Sequence, residues 1–269
     1  MTIILQETQR AVFYAPFYAA LALDTFSEDG LKVDFRSSAR PEDAATVLFT
    51  GAADVSWGGP MRVMLTRDQD STSDLVCFCE VVTRDPFLLV GREQRPDFTL
   101  MDLKGLRLGV VAEVPTPWMC LQQDIRDAGV DPLSLHHESS RRMPENCAAL
   151  RPGELDVVQL FEPFVSQMLE DGAGHIWHTA ARRGPTSYTC LYTRKSILER
   201  RRPDFVKMVR GIHAAQTWIH ANEAATIARA ISRYFPDLSE TLLTASIKRN
   251  KTLGIWGQTP WLPAYGYNR

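Results

Sequence analysis

The residues best suited to chemistry follow a short apolar run at 106–111, where Pro115, Thr116, Pro117 and Trp118 lead into a helical pattern. The apolar run predicts a strand buried on both faces. A hydroxyl residue before proline is typical of a helix start, because the hydroxyl caps a backbone N–H and the proline ring fixes φ. A strand that ends at a helix N-terminus places unpaired N–H groups where open α/β sheets bind ligands. The pattern therefore predicts either a site in which Trp118 stacks on a flat solute or an ordinary junction whose indole packs into the core.

Other polar and aromatic side chains follow the remaining predicted strands. Because the carboxyl ends of parallel strands share one edge of a sheet, we expect these side chains to converge. Rings stack on flat ligands, Arg84 can pair with a carboxylate, phosphate or sulfonate, and Glu162 can accept from ring N–H or amino groups. A packing or hinge role is the alternative at every position. The candidate ligand-binding residues are Tyr14, Ser37, Ser38, Trp57, Gly58, Gly59, Thr83, Arg84, Pro115, Thr116, Trp118, Glu162, Ser187 and Tyr188.

No catalytic or metal-binding constellation stands out in the sequence. His136 and His137 fall on opposite faces of a predicted strand, and no serine lies in a G-x-S-x-G pattern. Cys77 and Cys79 have no matching His or Cys pair downstream, so a zinc site is not expected. We therefore predict no catalytic residue, no metal site and no cofactor, and expect most of the five cysteines to be reduced and structural.

Composition limits the partners of the chain. A formal net charge of -2 over 269 residues gives no excess of Lys and Arg for neutralising nucleic acid. No apolar run approaches the roughly 20 residues that span a bilayer, so we expect no membrane span. The N-terminus has no basic segment followed by a long apolar one, so no secretion signal is visible. Localisation stays open: cytoplasmic if Met1 is the native start, periplasmic if a leader was removed.

Strands and helices alternate along most of the chain. The alternation with short loops predicts parallel sheets with helices on both faces. The first set of predicted strands covers 2–6, 31–35, 53–57, 75–82 and 87–90, and a second set begins at 106. Beyond about residue 193 the pattern changes to consecutive helices at 203–222, 223–234 and 238–248. We predict an α/β fold of two doubly wound lobes joined by two crossover strands, with residues 1–90 and 187–269 in lobe I and 91–186 in lobe II.

Five short motifs occur in a fixed order along the chain. They are PFYAAL at 16–21 before GLKV at 30–33, GAADV at 51–55, DLKGLRLGV at 102–110, GELDV at 153–157 and EPF at 162–164. Together they resemble the type II periplasmic-binding-protein fold. Within it, the chain is similar to the solute-binding family that groups alkanesulfonate- and nitrate-binding proteins with thiamine-pyrimidine synthases and their binding-protein relatives.

The resemblance implies two functions. The first is an ABC-transporter-type binding protein, which closes its lobes on a small pyrimidine-like heteroaromatic or anionic organic solute in an interlobe cleft and hands it to a permease. The alternative is a cytoplasmic enzyme of pyrimidine (thiamine precursor) synthesis. The synthase branch carries an HCCCFC motif and a lysine that holds pyridoxal phosphate, whereas residues 58–65 here contain neither Lys nor His. The second lobe also opens with Pro115-Thr-Pro-Trp in place of the family's small-residue turn. These departures favour binding, while the lack of a visible leader favours the enzyme.

Overall fold

The computed structural model describes residues 2–37 and 45–267, so the predicted site residue Ser38 lies outside the described residues. Their contacts divide the chain into two compact units. The first unit contains the described residues up to Arg84 and those from Pro185 onward, and the second contains Asp85–Gly184. The predicted lobe boundaries at residues 91 and 186 stay a prediction.

Strands and helices alternate in both units. The strands are β1 (Thr2–Gln6), β2 (Lys32–Arg36), β3 (Val55–Gly58), β4 (Leu75–Val82), β5 (Leu88–Gly91), β6 (Arg107–Gly109), β7 (His136–Glu138), β8 (Val157–Leu160), β9 (His175–Thr179) and β10 (Thr189–Arg194). The helices are α1 (Ala15–Ala22), α2 (Thr46–Phe49), α3 (Pro60–Gln69), α4 (Thr116–Asp127), α5 (Met143–Leu150), α6 (Phe164–Glu170), α7 (Lys195–Arg200), α8 (Arg202–Ala221), α9 (Ala224–Ile231) and α10 (Glu240–Thr252).

The first unit is built on a five-stranded sheet with the strand order β2-β1-β3-β10-β4. β1 pairs in parallel with β2 and β3, with Leu5 opposite Phe35 on one side and Val55 on the other. β10 is antiparallel to both β3 and β4. The expectation of a wholly parallel sheet was therefore wrong, because β10 joins the sheet only after the chain has passed through the second unit and then runs in the opposite direction.

The second unit repeats this plan with the strand order β7-β6-β8-β5-β9. β5 is antiparallel to β8 and β9, where Leu88 lies opposite Leu160 and Thr179. β5, which the sequence analysis listed at 87–90 with the first set of strands, lies between β8 and β9 in this sheet, and all four of its residues are buried. Gly91 is required here, since a Cβ would lie 1.9 Å from the indole of Trp177.

An ion-pair network joins the two ends of the second unit. Arg183 donates through Nη1 to Asp85, at 3.2 Å, and through Nε to Asp124 on α4, at 2.7 Å. Asp85 is only 1% exposed, and Phe87 N–H also donates to its carboxylate. Because Asp85 is the first residue of this unit and Arg183 is the last but one, the network fixes both crossing segments to the same helix.

Helices α8 and α10 meet at a charged cap. Lys251 Nζ donates to the carbonyls of Ile219 at 2.9 Å, His220 at 3.2 Å and Asn222, at the C-terminal end of α8. An ammonium group in this place satisfies carbonyls that have no partner within the helix and interacts favourably with the negative end of the helix dipole.

Among the described helices, none is long and apolar enough to cross a bilayer.

We expect Lys251→Met to lower the free energy of unfolding by about 1–2 kcal/mol, since it removes charged hydrogen bonds to three carbonyls. Urea denaturation followed by far-UV circular dichroism measures the change. Lys248→Met is the matched control, because Lys248 is exposed on the same helix. Equal losses in the two variants would contradict a capping role for Lys251.

Candidate functional site

Polar and aromatic side chains meet at one edge of the first sheet. β1 and β3 end at this edge and the antiparallel β10 begins there, so residues far apart in sequence become neighbours. We call Thr8, Tyr14, Trp57, Thr189 and Tyr192 the edge cluster. A Cβ on Gly58 would lie 3.3 Å from the ring of Tyr192 and 3.7 Å from the Thr8 methyl group, so glycine is what lets these side chains approach β3.

The edge cluster is buried but not fully hydrogen-bonded. Its members are at most 5% exposed. Within the described part of the chain, four of their polar atoms have no hydrogen-bond partner of normal geometry: Thr8 Oγ1, Trp57 Nε1, Thr189 Oγ1 and Tyr192 OH. A buried polar atom without a partner costs about 1–3 kcal/mol, and folded proteins contain few of them. Four at one sheet edge indicate a place where a ligand or water completes the hydrogen bonding.

The two phenols of the edge cluster are neutral hydrogen-bond donors. Burial raises the pKa of Tyr14 and raises the pKa of Tyr192 to about 12. The positive charge of the Arg62 guanidinium, in the first turn of α3, lowers both pKa values and so offsets part of the effect of burial. The Thr8 and Thr189 hydroxyls also lie beside Tyr14 and oppose the rise. Both phenols therefore stay protonated near neutral pH.

Trp57 belongs to the core, contrary to the predicted stacking role. Its indole is fully buried and lies parallel to Phe17, with ring centroids 4.4 Å apart, and to Phe35 at 5.8 Å. Tyr18 contacts it edge-on at 5.9 Å. The position after a strand end suggested a stacking residue, but these protein rings occupy the indole surface. The Nε1–H of Trp57 is buried and has no hydrogen-bond partner among the described residues.

The other predicted residues of the first unit have structural contacts. Thr83 pairs by its backbone with Ile255 at 2.8 Å and accepts from Thr186 N–H at 2.7 Å. Ser37 lies on the surface, where its Oγ accepts from Arg10 Nη2 at 2.8 Å. Gly59 is the N-cap residue of α3. Arg84 lies near Gly254, and Ser187 is buried beside Gly266. The N–H of Tyr188 donates to the Val82 carbonyl. The structure thus brings together Tyr14, Trp57, Gly58 and Gly59, and separates Ser37 from them.

In the second unit, the start of α4 differs from the predicted one. Helix α4 begins at Thr116 itself and Pro115 is the N-cap residue, with no side-chain cap, so the predicted capping by Thr116 was wrong. Proline at the following position fixes the helix without a hydroxyl cap. Trp118 is half-buried against the core of this unit, and its ring lies 4.8 Å from that of His137.

Gln159 lies within β8 of the second sheet, and Glu162 lies two residues beyond the end of that strand. Glu162 is 1% exposed and accepts from both the N–H and the Oγ of Ser166 at 3.0 Å. Gln159 Nε2 donates to the Pro117 carbonyl at 2.9 Å, while its Oε1 is buried without a partner among the described residues. Gln159 was missed in the sequence, where it lies within a run that indicates only a buried strand.

Thr8, Arg62, Thr189 and Tyr192 were also missed. Residues 189 and 192 lie in an apolar run that predicts a strand, but its direction decides which end reaches the site. In a parallel strand Thr189 would lie at the opposite edge. The antiparallel direction of β10 was the missing information.

Comparison with known proteins agrees with this architecture. The two sheet orders, and the chain's entry into the second unit at Asp85 and return to the first at Pro185, define a two-lobed α/β fold of the type II periplasmic-binding-protein class, which confirms the predicted fold class. The alkanesulfonate- and aliphatic sulphonate-binding SsuA proteins share the fold. That of Escherichia coli matches with a TM-score of 0.77 at 14% identity, over 91% of this chain and 82% of its own. That of Xanthomonas axonopodis pv. citri, solved with MOPS bound, matches with a TM-score of 0.74 at 13% identity, over 97% and 86%.

The sequence profile of the NMT1-like family matches residues 9–232, and the chain belongs to this family. The resemblance drawn from the sequence motifs is thereby confirmed. YtlA of Bacillus subtilis (strain 168), whose name describes a binding protein, is 27% identical over 260 residues, which are 95% of this chain and 77% of YtlA.

A buried acid lies near the start of β10. Glu80 on β4 is 4% exposed, and burial raises its pKa to about 7, while the neighbouring Ser187 hydroxyl acts in the opposite direction. Between the unfolded-state pKa of about 4.3 and this value, the folded state binds more protons than the unfolded state. Stability attributable to Glu80 therefore falls as the pH rises through this window.

We expect Glu80→Gln to be more stable than the parent protein at pH 8, by on the order of 2–3 kcal/mol, and to lose this advantage at pH 4. Urea unfolding at both pH values measures the difference. Glu199→Gln serves as the control, because Glu199 is exposed. An equal effect of Glu80→Gln at pH 4 and pH 8 would show that Glu80 is not the titrating group.

Proposed function

We propose that the chain is an ABC-type substrate-binding protein that binds a small organic solute and delivers it to a transporter permease. The observation that carries this proposal is the group of four buried polar atoms of the edge cluster that have no partner among the described residues. Buried polar atoms of this kind are expected to pair with a bound molecule, either an ordered water or a ligand. The name of YtlA describes a binding protein, and the SsuA proteins that share the fold bind sulfonates, which supports the same class of function.

The proposed solute is small and either heteroaromatic, like a pyrimidine, or anionic. A ring is supported by Trp118, whose indole is half-buried beside the N-terminus of α4. An acceptor group is supported by the edge cluster, because an indole N–H is only a donor and the neutral phenols and hydroxyls can also donate. Small-molecule sites generally combine aromatic side chains with a few polar groups, and each unit offers residues of these kinds.

A thermal-shift screen with pyrimidines, aromatic acids, alkanesulfonates and nitrate tests the proposal. We expect at least one of these classes to raise the melting temperature in a concentration-dependent manner, because a ligand that binds only the folded state stabilises it. Titration calorimetry then gives the stoichiometry, which should be one. No binding in any class would contradict the proposed function.

We expect Thr8→Val and Thr189→Val to keep or raise stability while they weaken binding of a screened ligand. Each replaces a buried hydroxyl that has no hydrogen-bond partner of normal geometry among the described residues by a methyl group of similar volume, so the desolvation cost of about 1–3 kcal/mol is removed. Urea unfolding without ligand and calorimetry with ligand measure the two effects.

Thr193→Val is the matched control on β10. Its Oγ1 donates to the Asp54 carbonyl at 2.6 Å, so we expect this variant to lose stability and retain affinity. If Thr8→Val and Thr189→Val destabilise the protein as Thr193→Val does and leave affinity unchanged, the two hydroxyls are structural and do not contact a ligand.

We expect Trp118→Ala to weaken binding by roughly tenfold or more, because loss of a stacked ring removes about 0.5–1.5 kcal/mol beyond the buried area. Its effect on stability should stay below the 3–5 kcal/mol typical of a fully buried tryptophan. Trp261→Ala, at a residue 75% exposed, is the control. If the Trp118→Ala protein melts at a much lower temperature and its folded fraction binds the ligand normally, Trp118 does not stack on the ligand.

A further inference from the structure

Gln159 places an amide group in a buried strand of the second sheet. All four residues of β8 are buried, and the other three are Val157, Val158 and Leu160. Gln159 is 2% exposed, lies opposite Leu89 on β5 and is the last residue but one of its strand. An amide in such a position lowers the stability of the protein unless both of its polar atoms have hydrogen-bond partners.

One hydrogen bond fixes the orientation of this amide. Gln159 Nε2 donates to the Pro117 carbonyl, in the first turn of α4, at 2.9 Å. The reversed amide would place two acceptor oxygens next to each other, so only the observed orientation gives a hydrogen bond. The oxygen, Oε1, is buried and has no partner within residues 2–37 and 45–267. β8 therefore presents a hydrogen-bond acceptor of fixed orientation beside α4.

In the second unit, residues 85–184, every buried side-chain polar atom without a partner is an acceptor: Glu113 Oε2, Asn146 Oδ1 and Gln159 Oε1. Glu113 is only half-buried. The Asn146 oxygen packs against Gly109, since it lies 2.8 Å from the point where a Cβ on this glycine would be, and Leu155 Cδ1 lies 2.7 Å from the same point. Gln159 is the member of this group that lies on the sheet, beside the helix that carries Trp118.

We propose that Gln159 is a specificity-determining residue, and that its Oε1 accepts a hydrogen bond from an N–H group of the solute, in an amino substituent or a ring. This inference rests on the proposed function and narrows it to solutes that carry such a group. An amide that is already held in place loses little side-chain freedom on binding. Nitrate or an alkanesulfonate would leave Oε1 unpaired, and a site built on a buried hydrogen bond discriminates strongly against a molecule that cannot form it.

Matched pairs of probes test the requirement for a donor: 2-aminopyrimidine against 2-methylpyrimidine, sulfanilate against 4-toluenesulfonate, and uracil against 1,3-dimethyluracil. The first two pairs exchange an amino group for a methyl group of similar volume, and the third removes both ring N–H groups. Titration calorimetry and thermal shift are run on the parent chain, on Gln159→Met and on Asn146→Leu. Asn146→Leu is the matched control, because Asn146 is also a buried amide, whose Nδ2 donates to the Val110 carbonyl at 3.0 Å and whose oxygen has no partner among the described residues.

We expect an N–H member of a pair to bind at least about fivefold more tightly than its partner, both to the parent chain and to Asn146→Leu. Gln159→Met should remove this preference. Loss of the hydrogen bond to Pro117 alone would weaken both members of a pair equally, so the preference reports the acceptor and not the position of α4. Melting temperatures without ligand show whether each variant is folded, and the comparison within a pair on the parent chain does not depend on any variant.

Equal binding of both members by the parent chain overturns the role of Gln159 and leaves the proposed function standing. A Gln159→Met protein that keeps the preference, or an Asn146→Leu protein that loses it, does the same. Binding of nitrate or an alkanesulfonate by a parent chain that binds none of the N–H probes also overturns this role alone. Binding of no probe and of no compound in the thermal-shift screen overturns both the role of Gln159 and the proposed function.

Discussion

The structure of the first unit depends on one constraint, the insertion of an antiparallel strand between β3 and β4. β10 is separated by more than one hundred residues from these strands, yet it forms the middle of the sheet, with Cys190 opposite both Gly58 and Glu80. Its direction places Thr189 at the carboxyl ends of β1 and β3. The sheet edge therefore collects side chains from three distant parts of the sequence, and the polar groups of the edge cluster meet only when the whole chain is folded.

The edge cluster lowers the free energy of unfolding, and the aromatic core that surrounds Trp57 offsets this loss of stability. Several buried polar atoms without partners oppose folding by about 1–3 kcal/mol each, so they persist only in a unit with stability to spare. That stability comes from the aromatic core around Trp57, where rings from α1 and β2 lie parallel to the indole. The packed rings also fix the orientation of the buried Nε1–H of Trp57, which has no partner among the described residues.

The sequence was sufficient for the order of the elements and insufficient for the directions of two strands. Apolar periodicity located both ends of β1 and of β4 correctly, because regular spacing depends only on local burial. Motif order was enough to indicate the fold and the family. The pairing partners of β5 and β10 were not predictable from local pattern, because a fully buried strand has the same composition whichever way it runs. Because the direction of β10 was unknown, Thr189 and Tyr192 were not predicted as site residues. The predicted site contained only residues that follow the ends of predicted strands.

The two sheet edges differ in the chemistry that they offer. In the first unit the buried atoms without partners include the donor-only Nε1 of Trp57, and Arg62 adds a positive charge. In the second unit the corresponding atom near α4 is an acceptor, Gln159 Oε1, and the Nε2 of the same amide holds the Pro117 carbonyl. Because that hydrogen bond joins β8 to the first turn of α4, it also fixes the segment that carries Trp118. A neutral donor on a solute would suit the amide oxygen, whereas only an acceptor suits the indole N–H. The two units therefore contain buried atoms of opposite hydrogen-bond polarity without a partner among the described residues, the donor Trp57 Nε1 and the acceptor Gln159 Oε1.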